Sequence, residues 1–146
     1  MRQKKSITIL LVEDDEGHAI LVKENLRAAR IINELYHVKD GQEALDFLFH
    51  RGSYTDTKVS PKPGLILLDI KLPKLDGYAV LERVKQDEQL KVIPVIMLTS
   101  TEDQMEINRS YDLGANGYVI KPVEYHAFQE RIKNLGLFLD IVALPD

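Results

Sequence analysis

Residues 64–69 read Gly-Leu-Ile-Leu-Leu-Asp, an apolar run that ends in an acid. Its hydrophobic residues are continuous instead of alternating, and this pattern is typical of a parallel strand that is covered on both faces. Four other short apolar runs occur along the chain. We therefore expect four further strands, at 7–12, 34–39, 94–98 and 117–120.

An amphipathic segment follows each of these five predicted strands. Apolar side chains recur in these segments with helical spacing. We expect helices at 16–30, 41–49, 77–87 and 102–113, and a fifth from 124 onward. We expect Thr101 to cap the fourth helix, with Gln104 closing a capping box, and Gly114 to end it. Five β-α units in strict alternation predict an α/β fold, a doubly wound five-stranded parallel sheet with helices on both faces.

The composition narrows the class of protein. The chain has 146 residues, of which 45% are hydrophobic, a net charge of −4 and no cysteine. This length fits one domain, and the mild negative charge offers no field for nucleic-acid phosphates. Without cysteine there are no disulfides, thiol nucleophiles or cysteine-ligated zinc. The apolar runs are too short to span a bilayer or to form a signal peptide. We therefore expect one cytoplasmic domain, 1–146, that binds neither nucleic acid nor membrane.

Polar residues end four of the five predicted strands. The acids 13–15 follow the first strand, Asp69 ends the third, Thr99 follows the fourth and Lys121 follows the fifth. In an open α/β sheet, ligands bind outside the carboxyl ends of the strands. Each residue alone would ordinarily be a helix cap, a turn residue or a solvated surface group. Together, on one edge of one sheet, they predict a functional site.

The residue types at this edge indicate phosphoryl chemistry. Clustered carboxylates repel one another, so they bind either protons or a hard cation. With oxygen ligands only, Mg²⁺ or a similar hard cation is the natural choice. A threonine hydroxyl and a lysine ammonium would complete a pocket for a phosphoryl group, with Asp69 as the nucleophile that forms an acyl phosphate.

Four sequence blocks resemble the receiver domain of two-component response regulators. They are LLVEDD (10–15), LILLDIKLPKLDG (65–77), IPVIMLTST (93–101) and GANGYVIKP (114–122). The resemblance extends over residues 7 to about 135. It implies the flavodoxin-like arrangement with strand order 2-1-3-4-5, and a phosphoryl group received from a sensor histidine kinase.

The resemblance also implies individual residue roles. Asp69 matches the phosphoacceptor, which becomes 4-aspartylphosphate. Glu13 and Asp14 match the acidic pair that holds Mg²⁺, with Asp14 as the direct ligand. Lys71 matches the position whose backbone carbonyl completes the metal shell.

Further matches concern the conformational switch. Thr99 resembles the switch hydroxyl, and Lys121 the lysine that pairs with the phosphoryl group. Tyr118 matches the aromatic switch residue, and Pro122 the proline after a cis peptide. Asp15, one place beyond the acidic pair, is expected to be a helix cap or an auxiliary acid.

The loop 51–63 and the apolar tail 136–146 resemble the phytochrome-associated single-domain regulators. This narrower resemblance rests on FLFHRGSYTD (47–56), KLPKLDG (71–77) and the ending LDIVALP (139–145). Because no output domain follows, we expect output through a partner, through onward transfer of the phosphoryl group, or through a change of dimer. In the last helix and the tail, apolar residues recur with seam spacing at Tyr125, Phe128, Ile132, Leu135 and Leu139. Packing of the last helix on its own sheet accounts for those up to about Leu135, whereas the apolar terminus beyond it predicts a homodimer formed through this end of the chain.

Two other functions remain open from the sequence. An aspartyl-phosphate hydrolase would share Asp69, the metal and the lysine, although such phosphatases carry a second acid where this chain has Lys71. A pseudo-receiver would serve only as an interaction scaffold. The histidines at 18, 37, 50 and 126 have no ligand spacing, and we expect ordinary surface or boundary roles for them. The polar loop 51–63 could equally be a disordered insertion.

Overall fold

Five strands form one parallel sheet. The computed structural model describes residues 7–28, 31, 33–100, 103–121, 126 and 130. The strands are β1 (Ile9–Val12), β2 (Leu35–Val38), β3 (Leu65–Asp69), β4 (Val95–Thr99) and β5 (Gly117–Ile120). Their order is β2-β1-β3-β4-β5, and every neighbouring pair is parallel. The predicted flavodoxin-like α/β fold is therefore confirmed.

Helices connect the strands. They are α1 (Glu16–Ala28), α2 (Gly41–Phe49), α3 (Gly77–Gln86) and α4 (Gln104–Asp112), and a short 3-10 helix lies at Gly52–Tyr54. Of the predicted fifth helix, His126 and Glu130 are helical, and the rest of that segment and the tail 136–146 lie outside the described residues. No helix in the described part of the chain is long and apolar enough to cross a membrane.

The helices cover both faces of the sheet. Successive strand residues point to opposite faces, so each strand contributes to two cores. One core joins α1 to one face of the sheet through Ile9, Leu11, Ala19, Val22, Leu26, Leu65, Leu67, Ile96, Leu98 and Val119. The other joins α2 and α3 to the opposite face and includes Leu10, Val12, Leu45, Phe47, Ile66, Leu68, Val80, Leu81, Val84 and Met97. This two-sided burial explains why the strands are continuously apolar.

Aspartates cap α2, α3 and α4. Asp40 accepts a hydrogen bond from the Glu43 backbone N–H, and Asp76 accepts one from Ala79 N–H. The prediction that Thr101 caps the fourth helix is wrong. That helix begins at Gln104, and Asp103 is the residue whose side chain accepts the capping hydrogen bond.

Gly114 ends α4 as predicted. Its φ of +105° is a conformation that L side chains rarely adopt, and its N–H donates to the Tyr111 carbonyl. The chain can therefore turn sharply from α4 into β5.

The start of α3 packs tightly against the end of β3. The Gly77 N–H donates to the Ile70 carbonyl at 2.7 Å. A Cβ atom at residue 77 would lie 2.2 Å from the Asp69 carbonyl oxygen, so only glycine fits there. This close approach fixes the backbone of Asp69 at the carboxyl end of β3.

The loop 51–63 is anchored to the domain and is not a disordered insertion. Ser60 is fully buried, and its hydroxyl lies 3.1 Å from His50 Nδ1 and 3.0 Å from the Tyr54 carbonyl oxygen. The Tyr54 ring packs against Phe47, and its hydroxyl donates to Glu43 at 2.6 Å. Burial, followed by the Glu43 carboxylate, raises the pKa of Tyr54 to about 12, so the phenol remains a donor.

Candidate functional site

Three carboxylates meet at the carboxyl edge of the sheet. Asp69 ends β3, and Glu13 and Asp14 follow β1, the strand paired beside it. One oxygen from each of the three lies within 4.8 Å of the others. Glu13 and Asp69 are buried, whereas Asp14 is exposed. The sheet register therefore brings together the acids that the sequence placed at one edge.

Lys121 reaches this cluster from the end of β5. Its ammonium donates to Glu13 Oε1 at 2.5 Å and to Asp69 Oδ2 at 2.9 Å. The Lys121 side chain is only 8% exposed, so these ion pairs are shielded from solvent. The Lys121 backbone N–H donates to the Thr99 carbonyl at 2.7 Å. This hydrogen bond fixes the backbone of Lys121, from which the side chain extends to the cluster.

Asp69 is an unusually weak acid. Burial, together with the charge of Glu13 and against the opposing hydrogen bond and charge of Lys121, raises its pKa from the ordinary 3.8 to about 6. A cation near these acids would therefore be favoured, because it would offset their mutual repulsion.

Lys121 remains an ammonium in this setting. Burial alone would lower its pKa, but the hydrogen bonds to Glu13 and Asp69 outweigh burial and raise it. One fixed positive charge therefore bridges the two buried carboxylates.

The backbone and side chain of Glu13 are held on several sides. Its N–H donates to the Val38 carbonyl at 3.0 Å, and its own carbonyl oxygen lies 2.7 Å from His37 Nε2. Its Oε2 accepts a hydrogen bond from the Asp15 N–H at 3.2 Å. The Asp15 side chain in turn accepts from the His18 N–H at 2.8 Å, which confirms Asp15 as the cap of α1.

Thr99 and Tyr118 lie where the sequence placed them. Thr99 is the last residue of β4 and is buried, one strand away from Asp69. Tyr118 is half-buried on β5, and its ring meets Tyr111 of α4 edge-to-face, with 5.9 Å between ring centroids.

An open cavity of about 580 Å³ lies beside the carboxylates, lined by Asp14, Lys71 and Tyr78 among others. Lys71 is exposed and directly follows Ile70 after β3. On the far side, the Arg109 guanidinium lies 4.1 Å from the centroid of the Tyr78 ring. The cavity gives small molecules and solvent access to Asp14. Thr101 and Pro122 lie outside the described residues.

His18 is an exposed residue, as the sequence predicts, but it also contacts the site: its Nδ1 lies 3.3 Å from Lys121 Nζ and 3.9 Å from Glu13 Oε1. The available signal was its position in the first turn of a helix that follows the acidic strand end. The pairing with Lys121 joins residues 103 positions apart, which no local pattern reveals.

The chain belongs to the response regulator receiver domain family. It matches that family over residues 9–133, which include every acid of the cluster and Lys121. Members of this family are signalling proteins that accept phosphoryl groups and act with histidine kinases. The resemblance found in the four sequence blocks is thereby confirmed.

The relatives of this chain include the response regulator Rcp1 and two proteins described as phytochrome response regulators. Response regulator Rcp1 of Synechocystis sp. is 40% identical over 138 residues, which cover 94% of this chain and 92% of Rcp1. The structure of the bacteriophytochrome response regulator AtBRR superimposes with a TM-score of 0.85 at 42% identity, covering 97% of this chain and 99% of that one. The phosphorylated cyanobacterial phytochrome response regulator RcpA gives a TM-score of 0.77 at 36% identity, covering 97% and 99%.

Proposed function

We propose that Asp69 accepts a phosphoryl group from a sensor histidine kinase. The observation that carries the proposal is the bridge of Lys121 between Asp69 and Glu13 beside the three-carboxylate cluster. A buried carboxylate with a fixed ammonium at its side is suited to receive an anionic group, because the ammonium offsets the charge that arrives.

The chemical step is a displacement at phosphorus. An Asp69 carboxylate oxygen attacks the phosphorus of a phosphohistidine, the P–N bond breaks, and a P–O bond forms to give an acyl phosphate. The imidazole leaves and takes up a proton. Lys121 then pairs with a phosphoryl oxygen in place of Asp69 Oδ2, while the end of β3 and Gly77 hold the Asp69 backbone still.

The carboxylate cluster fits a hard divalent cation. Its three donors are carboxylate oxygens within 4.8 Å of one another, a set that suits Mg²⁺ or Mn²⁺. A solved structure of Rcp1, 39% identical to this chain with a TM-score of 0.74, is described as the Mn²⁺-bound form and covers 96% of this chain and 99% of that one. Asp14, Glu13, Asp69 and the Lys71 carbonyl would hold the ion. When bound, the ion would neutralise charge on the phosphoryl oxygens.

The metal assignment has a direct test. Asp14 is exposed and needs no repacking when it is changed, so Asp14→Asn removes a ligand charge with little effect on folding. We expect Mg²⁺ affinity, measured by titration calorimetry, to fall at least about tenfold. Unchanged affinity would contradict the assignment of Asp14 as the direct ligand.

Thr99 and Tyr118 are proposed as the switch. A phosphoryl group adds about −1.5 to −2 charge and strong acceptor oxygens, which would draw the Thr99 hydroxyl toward Asp69. Tyr118 would then leave its contact with Tyr111, and the surface of α4 and β5 would change. Output would follow through a partner, through onward transfer of the phosphoryl group, or through a change of dimer.

Uptake of phosphoryl from a small donor tests the proposed acceptor. The chain is incubated with acetyl phosphate and Mg²⁺, and the intact mass is measured. We expect the mass to increase by one phosphoryl group, and we expect no increase with Asp69→Asn or with a chelator. An equal increase in the Asp69→Asn variant would contradict the proposal.

Release of inorganic phosphate separates this function from that of a hydrolase. A response regulator takes up one phosphoryl group per chain and loses it slowly, whereas a hydrolase releases phosphate continuously while donor remains. We expect an initial uptake near one equivalent, followed by slow release. Rapid continuous release would favour the aspartyl-phosphate hydrolase.

A phytochrome is the proposed type of kinase. Support comes from the similarity to AtBRR, described as a bacteriophytochrome response regulator, and to RcpA, described as a phytochrome response regulator. Transfer rates from a panel of autophosphorylated histidine kinases test this choice. Faster transfer from a kinase that is not a phytochrome would contradict it.

A homodimer formed through the last helix and the tail 136–146 remains part of the proposal, as does a cytoplasmic location. The apolar tail sequence supports the dimer, since such a segment on a small domain often marks a contact site. Light scattering on the full chain and on a chain ending at Leu135 tests it. An oligomeric state that does not change on truncation would contradict it.

A further inference from the structure

His18 lies against Lys121 on the α1 side of the site. Its Nδ1 is 3.3 Å from Lys121 Nζ, and its side chain is about half exposed. The backbone is fixed, because the His18 N–H donates to the capping carboxylate of Asp15 at 2.8 Å. The imidazole is therefore held at the rim of the carboxylate cluster by the first turn of α1.

The Lys121 ammonium determines which form of the imidazole is present. An ammonium has three N–H donors and no lone pair, so a nitrogen at hydrogen-bond distance must accept. Glu13, Asp69 and His18 provide three acceptors for the three protons of Lys121. An imidazole that carries its proton on Nε2 would supply the third acceptor through its Nδ1 lone pair.

We propose that His18 is a positioning residue that orients the Lys121 ammonium for phosphoryl transfer. The inference rests on the proposed function of Asp69. During transfer, Lys121 has to exchange Asp69 Oδ2 for a phosphoryl oxygen. The hydrogen bonds to Glu13 and His18 keep the other two N–H groups in place, so that only one donor has to change its acceptor.

Three substitutions separate the acceptor from the bulk of the side chain. His18→Asn keeps an acceptor, because the asparagine Oδ1 is as many bonds from Cα as the histidine Nδ1. His18→Leu provides a side chain of similar reach but has no acceptor. Glu24→Gln, at an exposed position of the same helix, is the matched control.

Phosphoryl uptake from acetyl phosphate with saturating Mg²⁺ gives the readout. We expect His18→Leu to slow uptake about fivefold, equivalent to about 1 kcal/mol. We expect His18→Asn and the Glu24→Gln control to stay within about twofold of the unaltered chain. Wild-type rates in His18→Leu would overturn the inference, as would failure of His18→Asn to restore the rate.

A double-mutant cycle with Lys121→Ala shows whether His18 acts through Lys121. If it does, His18→Leu has no further effect once the ammonium is gone. An effect of similar size in both backgrounds would overturn the inference, because a merely structural role for His18 does not need Lys121.

Nitrogen NMR of the metal-free protein tests the same contact without phosphoryl transfer. We expect the His18 imidazole to be the Nε2–H form with a hydrogen-bonded Nδ1, and we expect this signature to be lost in Lys121→Ala. If the signature is present but the chain takes up no phosphoryl group, the proposed function of Asp69 fails and the contact stands. If the signature is missing, the inference about His18 fails whatever the uptake.

Discussion

Asp69→Asn should stabilise the metal-free protein at neutral and alkaline pH. In the folded chain, burial and the charge of Glu13 raise the pKa of the Asp69 carboxyl group to about 6. The difference between this pKa and the ordinary 3.8 means that the folded state is destabilised by roughly 3 kcal/mol when Asp69 is ionised. Asparagine resembles the neutral acid and avoids this cost, since the pKa of about 6 already includes the opposing attraction between the carboxylate and Lys121.

The expected gain is about 1 to 3 kcal/mol in the free energy of unfolding at pH 8. For a chain of this length, this corresponds to a rise in Tm of roughly 3 to 10 °C. The sign depends on pH. Between about pH 4 and 6 the folded state of the unaltered chain binds more protons than the unfolded state, so its stability falls as the pH rises. Below pH 4, Asp69 is protonated in both states and the two chains converge.

Urea denaturation in the presence of a chelator, at pH 8 and at pH 4, measures the free energy of unfolding of the unaltered chain and of Asp69→Asn. Glu24→Gln is the control for the loss of one negative charge at an exposed site. Addition of Mg²⁺ should then stabilise the unaltered chain, by about 2.7 kcal/mol at a hundred times its Kd, and stabilise Asp69→Asn much less. An Asp69→Asn variant that is no more stable at pH 8, or a difference that is the same at pH 4, would refute the reasoning.

Three further substitutions test how the scaffold supports the site. Gly77→Ala should cost about 2 kcal/mol or more and slow phosphoryl uptake, because its Cβ would lie 2.2 Å from the Asp69 carbonyl oxygen. Gly17→Ala, whose Cβ would lie 3.2 Å from Asp15 Oδ1, should cost much less than Gly77→Ala in the same urea assay. Tyr54→Phe removes the 2.6 Å hydrogen bond to α2 and should cost about 1 kcal/mol with uptake unchanged. Equal stability of the two alanine variants, or slower uptake in Tyr54→Phe, would contradict these expectations.

The strands could be predicted because burial on both faces leaves a continuous apolar run. The segment 64–69 illustrates this, since β3 occupies Leu65–Asp69 with every residue buried. The helix starts at Gly41 and Gly77 could also be predicted, because an aspartate precedes each of them. The cap of α4 could not be predicted, because Thr101 and Asp103 are both good capping residues and lie two positions apart.

The sequence predicts which strand ends supply the residues of the site, but it does not predict all the contacts among them. Parallel strands end at one edge, so Asp69, the acids after β1 and Lys121 were expected to converge, and they do. The third partner of Lys121 was missed, because His18 reaches it through the tertiary packing of α1 against the sheet. Local sequence patterns carry no information on such a contact between distant elements.

The most direct test of the central claim is to locate the phosphoryl group after transfer from an autophosphorylated histidine kinase with Mg²⁺. Peptide mass spectrometry of the modified chain identifies the residue that carries it. We predict one phosphoryl group, on Asp69, and none in the Asp69→Asn variant. A phosphoryl group on any other residue, or transfer that persists in Asp69→Asn, would contradict the account.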